Sequence, residues 1–377
     1  MPPPRTTFAA LTGIRAIAAI MVFLYHHRKF WYSFMPEVIS RFLNEFHTGV
    51  SLFFVLSGFL IAFTYEDKPM QNGNSYLRYL LIRLARIFPV YLLLLSVKYI
   101  DQGFPDSTTT FLTYTLWHGF SDQYNLTGLP QAWSLTVELS FYTLAPFIYY
   151  LSKKSVLKTF FFLLLLLFIT LGIGYGWYAW NGNSNSFFYP WSFVLNATFS
   201  GRFAEFFAGM LLARYVQYGR QYLPFPKRHI TLTGAIATLA CIYLISLFEK
   251  DLYHTGTDTI AGLAIRNLLL PLCMIWLLYG LIQEKTWLRW TLSTKLMVLL
   301  GNASFAFYLF HINYVNGLTY KWHLFPDRNF TFMWLLAIAM YLLIEKPIYL
   351  VLRKLIERID RQREEKFVNR ELVRRES

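Results

Sequence analysis

Apolar stretches of about 20 residues alternate with short polar segments along nearly the whole chain. Residues 160–167, for example, contain only Phe and Leu. Helices of this length and composition cross the hydrocarbon core of a bilayer. We therefore predict an all-α, polytopic integral membrane protein with about ten transmembrane helices. The predicted spans are 8–26, 49–65, 77–98, 131–151, 157–179, 200–216, 229–248, 260–283, 296–319 and 330–352.

Basic residues set the orientation of these spans, because Lys and Arg are enriched in cytoplasmic loops. They are concentrated in alternate loops and at the C-terminal end, so both termini are predicted to be cytoplasmic. The first outside loop departs from this pattern, since it contains Arg28, Lys29 and Arg41. The segment 107–130 is predicted to be external or re-entrant. If it crossed the membrane, the next basic loop, which contains Lys153, would lie on the outer side. The cytoplasmic loops contain Lys153, Lys154, Lys158, Arg214, Arg220, Lys227, Arg228, Lys285, Arg289 and Lys295.

The net charge of +14 does not indicate a nucleic-acid partner. The charges lie in short loops and in the C-terminal segment, an arrangement typical of proteins that face anionic lipid. We predict one membrane domain at 1–352 and a basic cytoplasmic tail at 353–377. The expected location is the inner (plasma) membrane, with multiple passes. Cys241 and Cys273 lie in apolar spans and do not predict a disulfide framework.

The first span contains two ionisable residues, Arg15 and His26. Eleven residues are close to a whole number of helical turns, so both side chains lie on one face, separated along the axis by roughly 16 Å. Charged groups inside a bilayer are costly and are kept mainly where they line a cavity or a pathway. The pair therefore predicts a polar path with chemistry at one end.

Arg83 and Arg86 are three residues apart and share a face in the first turns of the third span. With Arg15 they place three guanidiniums near the inner surface. Arg binds phosphate bidentately and keeps its charge, so the three residues predict a phosphate-sized site. The alternative is that they anchor the helix by snorkelling to the membrane surface.

His26 and Glu138 are both predicted to lie at outer depth. A carboxylate that orients an imidazole makes it a general base, so we expect the two to form a catalytic pair. Alternatively, His26 is a packed structural residue and Glu138 forms an ion pair with Arg202. Arg202 is also spaced to pair with Glu205 on its own helix. Ser134 lies one turn from Glu138, within reach of a hydrogen bond.

Other ionisable residues give weaker signals. His311 falls in the outer half of its span and is either a second site residue or a structural one. His27 and His47 are expected to be solvated in the outer loop. Glu345, followed by Lys-Pro, is interpreted as helix-end electrostatics with a kink. No metal-ligand spacing is present, so no metal site is expected.

An ordered series of short motifs resembles the membrane acyltransferase-3 family. The series covers about residues 8–350. The motifs are LTGIR with ten residues before His26, FFVLSGFL from Phe53, RLARIFPVY from Arg83, WSL followed by Glu138, FAGM from Phe207, and the stretch from Ser304 to His311. The resemblance implies ten spans and transfer of an acyl group, commonly acetyl from acetyl-CoA, to sugar hydroxyls of surface or exported glycans.

The resemblance also implies roles for individual residues. His26 is implied to be catalytic with Arg15 as its same-helix partner, Arg83 and Arg86 to bind the donor's phosphates, and Glu138 to belong to the site. Many family members carry Asp just before the paired Phe of the second span, where this chain has Ser51. The remaining candidates for lining the site are Ser51, Trp133, Ser134, Arg202 and His311.

The expected activity is therefore O-acyl transfer from acetyl-CoA, or another acyl-CoA, with no bound cofactor. The partners would be acyl-CoA, a carbohydrate or glycolipid acceptor and the lipid bilayer. Direct transfer and a covalent acyl-His intermediate use the same residue and are both open. A second hypothesis is a transporter or flippase for a glycan or a lipid-linked sugar. Transporters often show internal repeats and broken helix pairs, which we do not find in this sequence.

Overall fold

The computed structural model describes residues 8–28, 32–67, 73–182, 187–219, 228–251, 254–312 and 326–359, with backbone alone at 326–329. These residues are almost entirely helical, and their β pairing is an isolated bridge between Ser121 and Phe187. Arg220, Lys227 and the predicted tail beyond residue 359 lie outside the described residues, as do residues 313–319 of the ninth predicted span.

Fourteen helices follow one another through the described residues. They are α1 (Ala9–His26), α2 (Glu37–Asn44), α3 (Gly49–Tyr65), α4 (Gly73–Gln102), α5 (Ser107–Tyr114), α6 (Trp133–Lys154), α7 (Val156–Asn181), α8 (Trp191–Ala197), α9 (Phe199–Tyr218), α10 (Ile230–Ser246), α11 (Ile260–Gln283), α12 (Trp287–Leu292), α13 (Lys295–Phe310) and α14 (326–359). Short π-helical turns interrupt α11 at Ile265–Leu269 and α14 at Tyr341–Glu345.

Six helices are long and apolar enough to cross a membrane: α1, α2 with α3, α4, α7, α11 and α14. The all-helical class and a multi-pass membrane architecture are thus confirmed, whereas ten spans and the orientation of the termini stay predictions. Helices α6 and α9 carry polar residues such as Glu138 and Arg202, and α10 and α13 are shorter, at 17 and 16 residues.

The segment 107–130 does not contain a spanning helix, as predicted. Its longest helix is α5, with eight residues, whose first turn is capped by Asp106: the carboxylate accepts a hydrogen bond from the Thr109 amide at 3.0 Å. The hydroxyl of Tyr91 on α4 donates to the Thr113 carbonyl at 2.6 Å and fastens the segment to the bundle.

Helices α3 and α9 cross at glycines. A Cβ atom on Gly58 would overlap the backbone carbonyl of Phe206, and one on Gly209 would overlap that of Val55. Small residues at such a crossing let two backbones approach closely, which is how membrane helices gain van der Waals contact. The crossing places Ser57, the neighbour of Gly58, at the middle of α3.

Candidate functional site

A polar cavity lies where α1, α3, α4, α6 and α13 meet. About 770 Å³ among its lining residues is free of protein atoms, and part of that space is open to the surroundings. The polar side chains that line it are Arg15, Ser57, Arg83, Arg86, Ser134, Glu138, Tyr142, Ser304 and Tyr308. The structure therefore brings together the three arginines that the sequence singled out.

The guanidinium groups differ in their surroundings. That of Arg83 lies 4.7 Å from the ring centroid of Tyr65, and that of Arg15 lies 6.0 Å from the ring of Phe53. Arg15 and Arg86 make no hydrogen bond or salt bridge with any of the described residues. Two guanidiniums in this cavity thus have donors available for an anionic ligand.

Glu138 lines the same cavity. Its Oε1 accepts a hydrogen bond from Ser57 Oγ at 2.6 Å and another from the hydroxyl of Tyr142. Within the described part of the chain it makes no hydrogen bond with His26, so the predicted pairing of Glu138 with His26 is wrong. The carboxylate is instead a neighbour of Arg15, whose charge it faces across the cavity.

Depth counting along the helices explains this error. Glu138 is the sixth residue of α6, which suggested a position near the outer surface. Its partner Ser57, however, lies at the middle of α3, so Glu138 lies at mid-depth in the bundle. The number of residues along a helix gives the depth of a side chain only where the helices begin at the same level and run parallel. Membrane helices are tilted, so this count does not give the depth of Glu138.

His26 ends α1 at a different place, among aromatic rings. Its side chain is exposed, and its ring centroid lies 4.8 Å from that of Tyr25 and 5.0 Å from that of His311. His311 is buried, and its Nδ1 donates to the Tyr308 carbonyl at 2.7 Å. The structure thus brings His311 rather than Glu138 next to His26.

Tyr308 connects this histidine pair to the cavity. Its hydroxyl is hydrogen-bonded to Ser134 Oγ at 2.8 Å and donates to the Gln131 carbonyl at 3.1 Å. Ser134 therefore bonds Tyr308 and not Glu138, which corrects the expectation from its spacing. The contact joins the end of α13 to the start of α6.

Arg202 lies in a separate buried cluster. It binds both carboxylate oxygens of Glu205 at 2.7 Å, so the pairing within α9 is confirmed and the alternative pairing with Glu138 is wrong. Its Nη2 also donates to Ser51 Oγ at 3.0 Å, and the guanidinium lies 6.0 Å from the ring of Trp133. Ser51 and Trp133 thus surround Arg202 and are absent from the cavity lining.

Two other histidines are more enclosed than expected. His47 packs its ring 5.2 Å from that of Tyr25, and its Nε2 lies 3.3 Å from Thr257 Oγ1. His27 stacks on Phe23 with ring centroids 4.0 Å apart. The expectation that both are solvated loop residues is wrong, because aromatic neighbours partly cover each ring.

Sequence reasoning missed three residues of the cavity region. Ser57 and Tyr142 hold Glu138, and the spacing of four residues between Glu138 and Tyr142 was a signal available in the sequence. Glu345, for which the sequence predicts a helix-end role, is buried in the π-helical turn of α14 within electrostatic range of Arg15 and Arg86. The spacing of residues along the sequence does not predict which side chains of the first and last spans lie close together.

Comparison with known proteins decides the family. The family described as "Acyltransferase domain", acyltransferase-3, matches residues 8–344, which include every candidate site residue named from the sequence. The chain belongs to the membrane acyltransferase-3 family. Together with the six long apolar helices among the described residues, this makes the chain a multi-pass membrane member of that family.

Proteins with similar sequences carry related names. A Staphylococcus aureus (strain COL) protein named "Putative O-acetyltransferase" is 25% identical over 365 residues, which cover 89% of this chain and 56% of that protein. Acyltransferase MdmB of Streptomyces mycarofaciens is 30% identical over 172 residues, 41% of this chain and 42% of its own length. The chain thus spans about half the length of these curated relatives. No solved structure matches the chain.

Proposed function

We propose that this acyltransferase-3 protein is an O-acyltransferase of the inner (plasma) membrane. It moves an acyl group, acetyl in the first instance, from acyl-CoA to a hydroxyl of a cell-surface or exported carbohydrate. The observation that carries the proposal is the cavity with the guanidiniums of Arg15 and Arg86, neither of which makes a hydrogen bond with the described residues. Arg15 lies on α1, the helix that ends at the exposed His26. The O-acetyltransferase name of the staphylococcal relative supports the choice of group.

The arginines are proposed to hold the phosphates of the donor. A guanidinium offers a fork of N–H donors that matches phosphate oxygens, and Arg83 and Arg86 present two such forks from one helix. Glu138 and Glu345 lie within range of Arg15 and balance part of the positive charge. This balance favours release of the donor after each turnover over permanent retention of an anion.

The distance from Arg15 to His26 along α1 suits a CoA arm. Arg15 and His26 are separated along the helix by roughly 16 Å, and an extended pantetheine arm reaches on the order of 15–20 Å. Phosphates bound at the arginines would therefore bring the thioester near His26. The acceptor reaches the same point from the exposed side of this histidine.

The proposed reaction is a direct transfer. An unprotonated nitrogen of His26 takes the proton of the acceptor hydroxyl, whose oxygen attacks the acyl carbon. The new C–O bond forms as the C–S bond breaks, and the departing thiolate takes the proton from the His26 imidazolium. The products are the O-acyl carbohydrate and free CoA, and His26 returns to its starting state.

Substitution of His26 tests this proposal. His26→Ala removes the base, so we expect acyl transfer to fall to background while the protein still folds. His27→Ala is the matched control, because His27 is the adjacent residue and stacks on Phe23 outside the cavity. The measurements are release of CoA thiol from acetyl-CoA by purified protein and mass spectrometry of surface glycans from expressing cells. Transfer by His26→Ala at the wild-type rate would refute the role of His26.

A further inference from the structure

The tautomer of His311 follows from its hydrogen bond. Its Nδ1 lies 2.7 Å from the Tyr308 carbonyl, which accepts hydrogen bonds and cannot donate them. Nδ1 therefore carries the proton, and Nε2 of the neutral ring offers a lone pair. This Nε2 is buried and has no hydrogen-bond partner among the described residues.

An unpaired buried acceptor costs free energy, so a donor is expected nearby. The ring of His26 lies beside it, with centroids 5.0 Å apart and planes at 48°. An N–H···N hydrogen bond of about 2.9 Å between two imidazoles separates their centroids by roughly 5 Å. A small rotation of the exposed His26 ring is enough to close the bond.

The other titratable groups that the described residues place around His26 are already engaged. They are Tyr25, His27 and Arg28 beside it in the chain and His47 on the turn Glu45–Thr48. The His27 Nδ1 donates to the Phe23 carbonyl at 2.9 Å, and both ring nitrogens of His47 have contacts at 3.3 Å. Tyr25 packs under the Arg28 guanidinium.

His311 is held rigidly, as an orienting group must be. It is 1% exposed, and the ring of Phe307 lies parallel to it within 6°. Its bonding partner Tyr308 is fixed through Ser134 and Gln131 to the start of α6. The fixed ring is thus the acceptor and the exposed ring is the one that adjusts.

We propose that His311 is the positioning residue of His26. Its Nε2 accepts the N–H of the His26 ring, which directs the lone pair of the other His26 nitrogen towards the acceptor hydroxyl. When His26 takes up the hydroxyl proton, the same bond stabilises the imidazolium. A neutral histidine thereby performs the task assigned from the sequence to Glu138. This role rests on the proposed function of His26 as base.

Two substitutions separate positioning from packing. His311→Leu keeps the volume and removes the acceptor, whereas the amide oxygen of His311→Gln can accept the N–H. For His311→Leu we expect kcat to fall about 10- to 100-fold with an unchanged KM for acetyl-CoA, corresponding to loss of one hydrogen bond in the transition state. His311→Gln should recover most of kcat. Equal losses in both variants, or an unchanged kcat in His311→Leu, would overturn the proposal.

A second readout does not require acyl transfer. Diethyl pyrocarbonate modifies unprotonated histidine, and peptide mass spectrometry gives the rate at His26. At about pH 8, where an ordinary imidazole is neutral, His311→Leu should slow this rate about 2- to 10-fold, and His311→Gln should restore it. An unchanged rate in His311→Leu would overturn the pairing. His311→Ala replaces the Leu variant if thermal unfolding shows that it does not fold.

The two readouts also separate this proposal from the function on which it rests. If His311→Leu slows the modification of His26 while the wild type transfers no acyl group, the pairing is supported and only the proposed function is refuted. The control is His27→Gln, which should leave both the modification rate at His26 and kcat at the wild-type values.

Discussion

At the residue scale, the cavity combines charges that a bilayer normally excludes. Arg15 and Arg86 make no hydrogen bond within the described structure, although each carries five N–H donors. Charged groups inside a membrane protein are kept mainly where they serve a ligand or a pathway. The proposed donor site assigns those N–H groups to phosphate oxygens.

Arg86→Ala tests this assignment. Loss of a charge-assisted hydrogen bond of about 1.5–3 kcal/mol should raise the KM for acyl-CoA about 10- to 100-fold, with a smaller effect on kcat. Initial rates over a range of acetyl-CoA concentrations provide the measurement. Arg78→Ala is the control, because Arg78 is exposed on the same helix and does not line the cavity. The same KM in both variants would contradict a phosphate role.

The sequence predicted individual residues better than their partners. The free-energy cost of a charged side chain inside the bilayer singled out Arg15 and Arg86. The i, i+3 spacing correctly paired Arg202 with Glu205. Partners from distant spans were out of reach, because helix rotation and tilt decide them. Glu138 therefore received the wrong neighbour, and Glu345 was not recognised as a neighbour of Arg15.

At the element scale, the crossing of α3 and α9 positions the cavity wall. The backbones touch at Gly58 and Gly209, and Ser57 follows from that contact as the hydrogen-bond donor to Glu138. A side chain at either glycine would force the helices apart.

Gly58→Ala should destabilise the protein by about 1–3 kcal/mol, the usual cost of overpacking. It should also lower acyl transfer, because Ser57 would move with α3. Thermal unfolding in detergent measures the first effect. The control is Gly176→Ala on α7, where a Cβ atom would have no neighbour within 4 Å. Equal stability of the two variants would show that the crossing does not need a glycine.

Helices were predictable because long apolar stretches dictate them. The bounds 49–65 and 260–283 agree with the helices Gly49–Tyr65 and Ile260–Gln283. The lipid-facing character of α7, with exposed Leu165, Phe168 and Ile173, also follows from composition. The π-helical turns were not predictable, since their apolar pattern matches that of an ordinary helix.

At the scale of the whole molecule, the proposed donor site and the proposed base lie at two different places. The arginine cavity lies within the bundle, and His26 is exposed where α1 ends. If the termini are cytoplasmic, as basic loops predict, the donor enters from the cytoplasm and the acceptor is met on the opposite side. The central claim is that acyl transfer joins these two sides through His26.

Proteoliposomes of defined orientation test that claim most directly. Labelled acetyl-CoA is supplied on the side of the C-terminus, and a carbohydrate acceptor that does not cross the membrane is enclosed on the other side. We predict that the wild type labels the enclosed carbohydrate and that His26→Ala does not. Labelling that requires donor and acceptor on the same side, or that persists in His26→Ala, would contradict the account.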